Sequence, residues 1–291
     1  MLRGLPTLLL LALALVCAST ACAQTAQPAP PEPPPPPFDP NQSVSTKPGA
    51  LAATIWSNTT TLHAQIDRWR ADGDPSVGPA PREVTLRAVF HQRLHLLLAD
   101  RPRLYRAVVR RLPPKLAADA RDIFTAKRSL RRLAGSGARR RVRTGPALPA
   151  GRLLSFYREA RARFRVRPRV LASVNLIESG FNRIRNNSTA GAQGPMQFIP
   201  STWRAYGMGG DIRDPQDAIL GAANYLRASG APRDYRRALY AYNHSSLYVE
   251  AVLRYAKVIA RDPHTFYVLH SWHIFVRSGS GFRRITGPGP R

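Results

Sequence analysis

The chain has 291 residues, and 44 Lys+Arg against 17 Asp+Glu give it a formal net charge of +27. A hydrophobic content of 44% is enough for a packed core, which excludes a wholly disordered chain, and no segment past the N-terminus is long enough for a membrane bundle. The only cysteines, Cys17 and Cys22, lie at the extreme N-terminus, which excludes a disulfide framework and any zinc site built on cysteines.

Residues 1–23 have the form of an export signal. Arg3 supplies a short basic region, an apolar run covers residues 8–16, and Ala21-Cys22-Ala23 has the small-x-small form of a signal-peptidase site. A second reading stays open, in which Cys22 is lipidated in a loose lipobox, Ser19-Thr20-Ala21-Cys22. Either way the chain is expected outside the cytoplasm, in the periplasm, cell wall or medium. Residues 24–50 follow as a proline-rich linker. Pro33 to Pro37 are consecutive, so the tract predicts an extended polyproline spacer.

Residues 51–134 read as an Arg-rich helical region. Leu51, Ile55, Leu62 and Ile66 recur at helical spacing, and further helices are expected over 84–100, 104–112 and 116–133. Across 51–143, 20 basic residues oppose 7 acidic ones. Such a surface favours polyanions, here an anionic wall polymer or a membrane surface. Only four of the chain's basic residues are Lys, so the Arg excess fits the codon bias of a GC-rich genome equally well. Residues 135–150, with Arg139-Arg140-Arg141 after Gly135-Ser136-Gly137, predict a flexible basic linker. His91 and His95, at i, i+4, lack His-Glu-x-x-His and a third ligand, and read as a helix-surface pair.

Residues 151–262 form a second helical block. Leu171, Val174 and Glu178 stand at i, i+3 and i+7, which places a carboxylate on the stripe that otherwise faces the core. Gly180 ends that helix, so Glu178 falls in its last turn. Burial and the negative end of the helix dipole both favour the protonated form, which is what a general acid requires. A helix-end Glu that bends out to solvent satisfies the same spacing. Asp214-Pro215 fits an N-cap followed by proline at the first helical position, and Asp217 completes a capping-box-like arrangement. With Asp211, these acids have structural work, so no second catalytic carboxylate is expected. Phe266 to Phe275 reads as two short strands turning near Ser271, with His270 and His273 as surface or packing residues beside the turn. Residues 263–291 are therefore read as a strand pair and a disordered tail.

Four ordered motifs carry a resemblance. Glu178-Ser179-Gly180-Phe181-Asn182, Asn187 to Pro200 with Ala190-Gly191-Ala192-Gln193-Gly194-Pro195-Met196-Gln197 at its centre, Asp214 to Ile219, and Tyr242-Asn243-His244-Ser245 follow one another here. In that order and spacing they resemble the lytic transglycosylases, peptidoglycan-cleaving enzymes with a lysozyme-like helical fold. The Tyr-Asn-His-Ser-x-x-Tyr ending is most similar to the membrane-bound B type. The resemblance covers residues 165–262. It implies a mostly α chain: a lysozyme-like catalytic domain, preceded by the Arg-rich helical region and followed by a short β-strand pair.

By that resemblance Glu178 is the single catalytic acid/base. Ser188 and Gln197 match positions that contact the N-acetyl group and sugar ring. Tyr242 and Asn243 match the pair beside the acid, where the Tyr hydroxyl orients the carboxyl. Met196 and Phe198 match the apolar wall, and Trp203 and Tyr206 are candidate sugar platforms. The implied substrate is the peptidoglycan glycan strand, with no cofactor and no nucleic-acid partner. B-type relatives commonly carry an acidic, glycine-interrupted calcium loop, and Gly209-Gly210-Asp211-Ile212-Arg213 lacks its repeated acids, so no metal is expected. Residues 51–143 match nothing in the family. A hydrolytic muramidase is the nearest alternative reading. A non-catalytic wall-binding or scaffold protein is another, disfavoured because Glu178, Ser188, Gln197 and Tyr242 all persist.

Overall fold

The computed structural model describes residues 37–134, 142–278 and 281–287. The export-signal reading of 1–23, the choice at Cys22, most of the proline tract and the last four residues lie outside them. Proline and local caps set most helix starts. Pro48 opens α1 (Pro48–Asp72), Pro102 opens α3 (Pro102–Val109) and Pro114 opens α4 (Pro114–Ala134), while α2 spans Arg82–Asp100. The C-terminal half holds α5 (Ala150–Phe164), α6 (Pro168–Ser179), α7 (Pro200–Tyr206), α8 (Pro215–Ala228), α9 (Tyr235–Tyr242) and α10 (Ser246–Arg261). α11 (His264–His270) and the antiparallel pair β1 (Phe275–Ser278) and β2 (Gly281–Arg284) complete the chain. The fold is mostly α with one small two-stranded sheet. Among the described residues no helix is long and apolar enough to cross a membrane.

The described residues form one compact unit. A single core runs through it: Leu62, Ile66, Val84 and Ile123 of the N-terminal helices meet Leu171, Val174, Phe181 and Met196 around the candidate site. A second cluster, with Leu51, Phe90, Leu94 and Val108, lies within α1–α4 and the turn after α3. α10 packs on both α4 and α6. The Arg-rich region thus backs the helix that faces the site, and an ion network fixes the contact. Asp122 of α4 accepts from Arg254 at 2.8 Å and from Arg261, both of α10, and Arg261 also pairs with Asp119.

Several expectations are corrected. The end of the proline-rich stretch is docked rather than a free spacer: Phe38 meets the edge of Phe90 at 5.3 Å, and Arg87 covers the Phe38 ring at 4.2 Å. The described end of the basic linker, 142–149, is pinned rather than flexible, because Gly145 N–H donates to Arg183 O and Arg185 N–H to Arg143 O, both at 2.9 Å. The strands do not turn at Ser271. Phe266, Val268, Leu269 and His270 are helical and buried, and the true pair lies further on, at 275–284. Asp262 accepts the amide of His264 at 2.8 Å and so starts α11; Asp262-Pro263 repeats the start signal of Asp214-Pro215. His91 and His95 are buried, not on the surface, because Trp272 covers them: its Nε1–H donates to His91 Nδ1 at 3.3 Å. Burial pushes the His91 imidazole down to about 3 and holds it neutral.

Candidate active site

α6 positions the acid. Its buried stripe of Leu171, Val174 and Asn175 turns Glu178 inward, and Gly180 ends the helix in the left-handed region at φ 61°. A Cβ at Gly180 would stand 2.7 Å from Ile274 Cδ1, a side-chain end that can move, so it is the left-handed conformation that favours glycine there. Ser179, fully buried, ties the helix end to the loop that follows. Its Oγ–H donates to Pro195 O at 2.7 Å and its Oγ accepts the Asn182 amide at 2.8 Å. Asn175 Nδ2 donates to the same Pro195 carbonyl at 2.9 Å, and Tyr157 OH holds Asn175 Oδ1 at 2.8 Å. The Ser of Glu-Ser is therefore a positioning residue. The sequence motif contains it, but its partners lie elsewhere in the chain.

Glu178 is half-buried and opens to solvent on one side. Burial raises its carboxyl from 4.5 to about 7, against the opposing hydrogen bond from Tyr248. No neighbouring carboxylate contributes to that rise. Tyr248 OH donates to Glu178 Oε1 at 2.6 Å. Here the structure corrects the resemblance. Tyr242 does not orient the acid: its hydroxyl donates to Met196 O at 2.7 Å, and its ring stacks parallel to Tyr248 at 6.4 Å. Tyr248 takes the orienting role because α10 enters directly beside α6, while α9 ends one turn away at Asn243. Replacing Tyr248 by Phe removes a bond that favours the carboxylate. The alkaline limb of the pH–rate profile is then expected to move up by about one pH unit, with kcat about tenfold lower. An unmoved limb in a folded variant would contradict the assignment.

The other candidates gather around this pair with distinct roles. Met196 is fully buried, and Phe198 packs edge-on against Trp203 at 5.1 Å and Tyr242 at 5.7 Å, so both belong to the apolar packing around the site. Gly194 is at φ 74°, and a Cβ there would collide with Ile212 O, which accounts for the glycine in Gln-Gly-Pro-Met. Gln197 also has positive φ, at 50°, and its Nε2 donates to Gly194 O at 2.9 Å and Asn186 O at 3.3 Å. Ser188 Oγ accepts the Ala192 amide at 2.9 Å, closing the loop and leaving the hydroxyl proton to donate. Asn243 caps α9 through its backbone, and its half-buried side chain makes no hydrogen bond within the described residues. Trp203 Nε1–H donates to Gly210 O at 3.2 Å, and Tyr206 packs on Tyr225 at 4.7 Å.

The neighbouring acids are occupied. Asp214 Oδ1 accepts the Gln216 and Asp217 amides, and Asp211 Oδ1 the Arg213 amide. Asp217 reaches back to the Asp211 amide at 2.8 Å rather than to that of Asp214, so it pins the loop instead of closing a capping box. His270 and His273 are not among the groups on Glu178: His270 packs on the Phe181 ring at 5.5 Å and its Nε2 meets Leu148 O at 2.9 Å, and burial lowers both histidines to about 3.

A half-buried carboxyl protonated near neutrality, held by one phenol and open to solvent on one side, defines a proton-transfer site of the glycoside-cleaving kind. Residues 155–263 match the family model of the transglycosylase SLT domain. The chain accordingly carries a lysozyme-like transglycosylase domain of the lytic transglycosylases, which act on peptidoglycan glycan. The match is to the SLT domain and does not single out the B type. No solved structure matches the chain.

Proposed function

We propose that the chain is an exported peptidoglycan lytic transglycosylase that uses Glu178 as its single acid/base. The observation that carries the reading is the state of Glu178: raised to about 7 by burial, hydrogen-bonded by Tyr248, and without a second carboxylate among the causes of its shift. Most glycosidases flank the scissile bond with two carboxyl groups. With one, the substrate supplies the remaining nucleophile.

In the first step the Glu178 carboxylic acid gives its proton to the glycosidic oxygen between N-acetylmuramic acid and N-acetylglucosamine, and the C1–O bond breaks. The 2-acetamido carbonyl stabilises the oxocarbenium-like centre. In the second step the Glu178 carboxylate takes the proton of the muramoyl 6-hydroxyl, whose oxygen bonds to C1. The product is a 1,6-anhydro end, no water is consumed, and the acid is restored. Ser188 and Gln197 bind the sugar, Tyr248 orients the acid, and Met196 with Phe198 keeps the site apolar enough to hold the proton.

Digestion of purified peptidoglycan with residues 24–291, followed by mass spectrometry of borohydride-reduced products, tests the reading. Muropeptides about 20 Da lighter than the reduced products of a hydrolytic muramidase are expected, having lost water and a reducible end. Reducible ends would mean hydrolysis on the same domain. No release would remove the enzymatic reading in favour of a wall-binding role.

A further inference from the structure

The protein also contains a hollow that Glu178 and the residues hydrogen-bonded to it do not line. It has a volume of about 590 Å³ and is walled by the connection before α2, residues 144–148, Arg183, and the segments 270–273 and 285–287. That volume is typical of small-ligand sites. Its walls are held by hydrogen bonds. Gly145 N–H donates to Arg183 O, Arg185 Nη2 to Pro146 O, and His270 Nε2 meets Leu148 O, all at 2.9 Å. Thr286 Oγ1 accepts the Ile274 amide at 2.9 Å and contacts His273 Nδ1 at the same distance. The hollow is therefore preformed.

Its chemistry is one-sided. Among the described residues no Asp or Glu lines it, while Arg82 and Arg183 do. Arg82 is exposed; Arg183 is only 7% exposed. Among the described residues Arg183 has no carboxylate partner, and its guanidinium makes one hydrogen bond, from Nη1 to Gly180 O at 3.1 Å. A buried cation without a counter-charge is costly unless something supplies one. Two further wall residues are incomplete: His270 Nδ1 and Ser271 Oγ have no hydrogen-bond partner, although both residues are buried. Because His270 Nε2 gives its proton to Leu148 O, Nδ1 is a bare acceptor that needs a donor. Pro79, Ala80, Pro146, Leu148 and Ile285 make the rest of the wall apolar.

We propose that this hollow is a binding site for the C-terminal end of a short peptide of small residues, with its free carboxylate on the guanidinium of Arg183. A planar guanidinium matches a carboxylate through two parallel N–H bonds. Small side chains suit the alanine and proline wall. The site shares no lining residue with the Glu178 site, so it stands apart from glycan cleavage.

Calorimetric titration of residues 24–291 with N-acetyl-alanyl-alanine and with its C-terminal amide tests the proposal. The acid is expected to bind at least about tenfold more tightly than the amide. Arg183→Gln is expected to abolish that preference. Because Arg183 is buried, circular dichroism must show that variant folded, and the exposed Arg82→Gln, expected to weaken the acid severalfold, keeps the test decisive if it is not. Glu178→Gln is expected to bind the peptide unchanged, so failure of the catalytic reading would leave this result intact. Equal affinity for acid and amide, inorganic phosphate binding more tightly than the peptide, or an affinity untouched by Arg82→Gln and by folded Arg183→Gln would each overturn it.

Discussion

Glu178→Gln is expected to lower glycan cleavage by about 10³-fold or more while making the protein more stable at pH 8 and no more stable at pH 4. The activity loss follows from the proposed role of Glu178 as the single acid/base; Gln is close to isosteric with Glu and cannot exchange a proton. The stability change follows from the same burial that prepares the acid. In the folded chain the carboxyl titrates at about 7, against 4.5 when unperturbed. The folded state thus binds this proton more tightly than the unfolded state, and its stabilising contribution is fully present below 4.5. It is lost as pH rises through that window and is gone above about 7, a change worth about 3 kcal/mol. Gln carries no such penalty. Its amide oxygen still accepts from Tyr248, so the variant should melt several degrees above wild type at pH 8 and together with it at pH 4. Differential scanning calorimetry at the two pH values, beside a peptidoglycan release assay, checks both halves. A folded variant that still cleaves, or that is less stable at pH 8, would contradict the assignment.

Asp122→Ala is expected to destabilise the chain by about 2–3 kcal/mol, because two charge-assisted hydrogen bonds across the α4–α10 contact are lost, while Arg254 and Arg261 keep Glu250 and Asp119 as partners. Asp122 is 4% exposed and holds Arg254 and Arg261 of α10 from α4. Burial alone would raise its carboxyl, but the hydrogen bonds from the two arginines more than offset this and hold it below its ordinary 3.8. A depressed carboxyl stabilises the fold above its unfolded value, and that stability is lost as pH falls through the folded one. The Asp122 contribution should therefore vanish only under acid. By contrast, Arg163→Ala, which breaks an exposed pair with Glu159 at 3.4 Å, should cost no more than about 0.5 kcal/mol. Urea denaturation at neutral and acid pH compares the two. Because α10 also carries Tyr248 to Glu178, Asp122→Ala should reduce cleavage as well, although Asp122 lies in a region outside the family match. Equal small losses for both variants would contradict the role of this network.

The acid itself is legible in the sequence because one helix carries both it and the apolar stripe that turns it inward: Leu171, Val174 and Glu178 need only helical periodicity. Its phenol partner is not. Tyr242 and Tyr248 are six residues apart across the break between α9 and α10, and spacing alone cannot say which ring reaches the carboxyl. The same limit explains His91 and His95, whose i, i+4 spacing shows a common face but not the Trp272 that covers it. Arg254 and Asp122 are separated by 132 positions, so a charge excess that looks like a solvated surface includes cations committed to a helix interface. α11 was obscured by its own composition: Phe266, Tyr267, Val268 and Leu269 favour strands, and packing against Tyr157 and Phe181 holds Phe266 in a helix. The peptide-sized hollow draws its walls from several segments, and no local pattern announces it.

Everything in the proposed chemistry rests on the Glu178 carboxyl holding its proton up to neutral pH. Carbon-13 NMR of side-chain-labelled glutamate, assigned by the signal missing in Glu178→Gln, reads that proton directly. The expected titration midpoint lies near 7 and moves upward in Tyr248→Phe. A midpoint near 4.5, the ordinary value for a solvated glutamate, would contradict it.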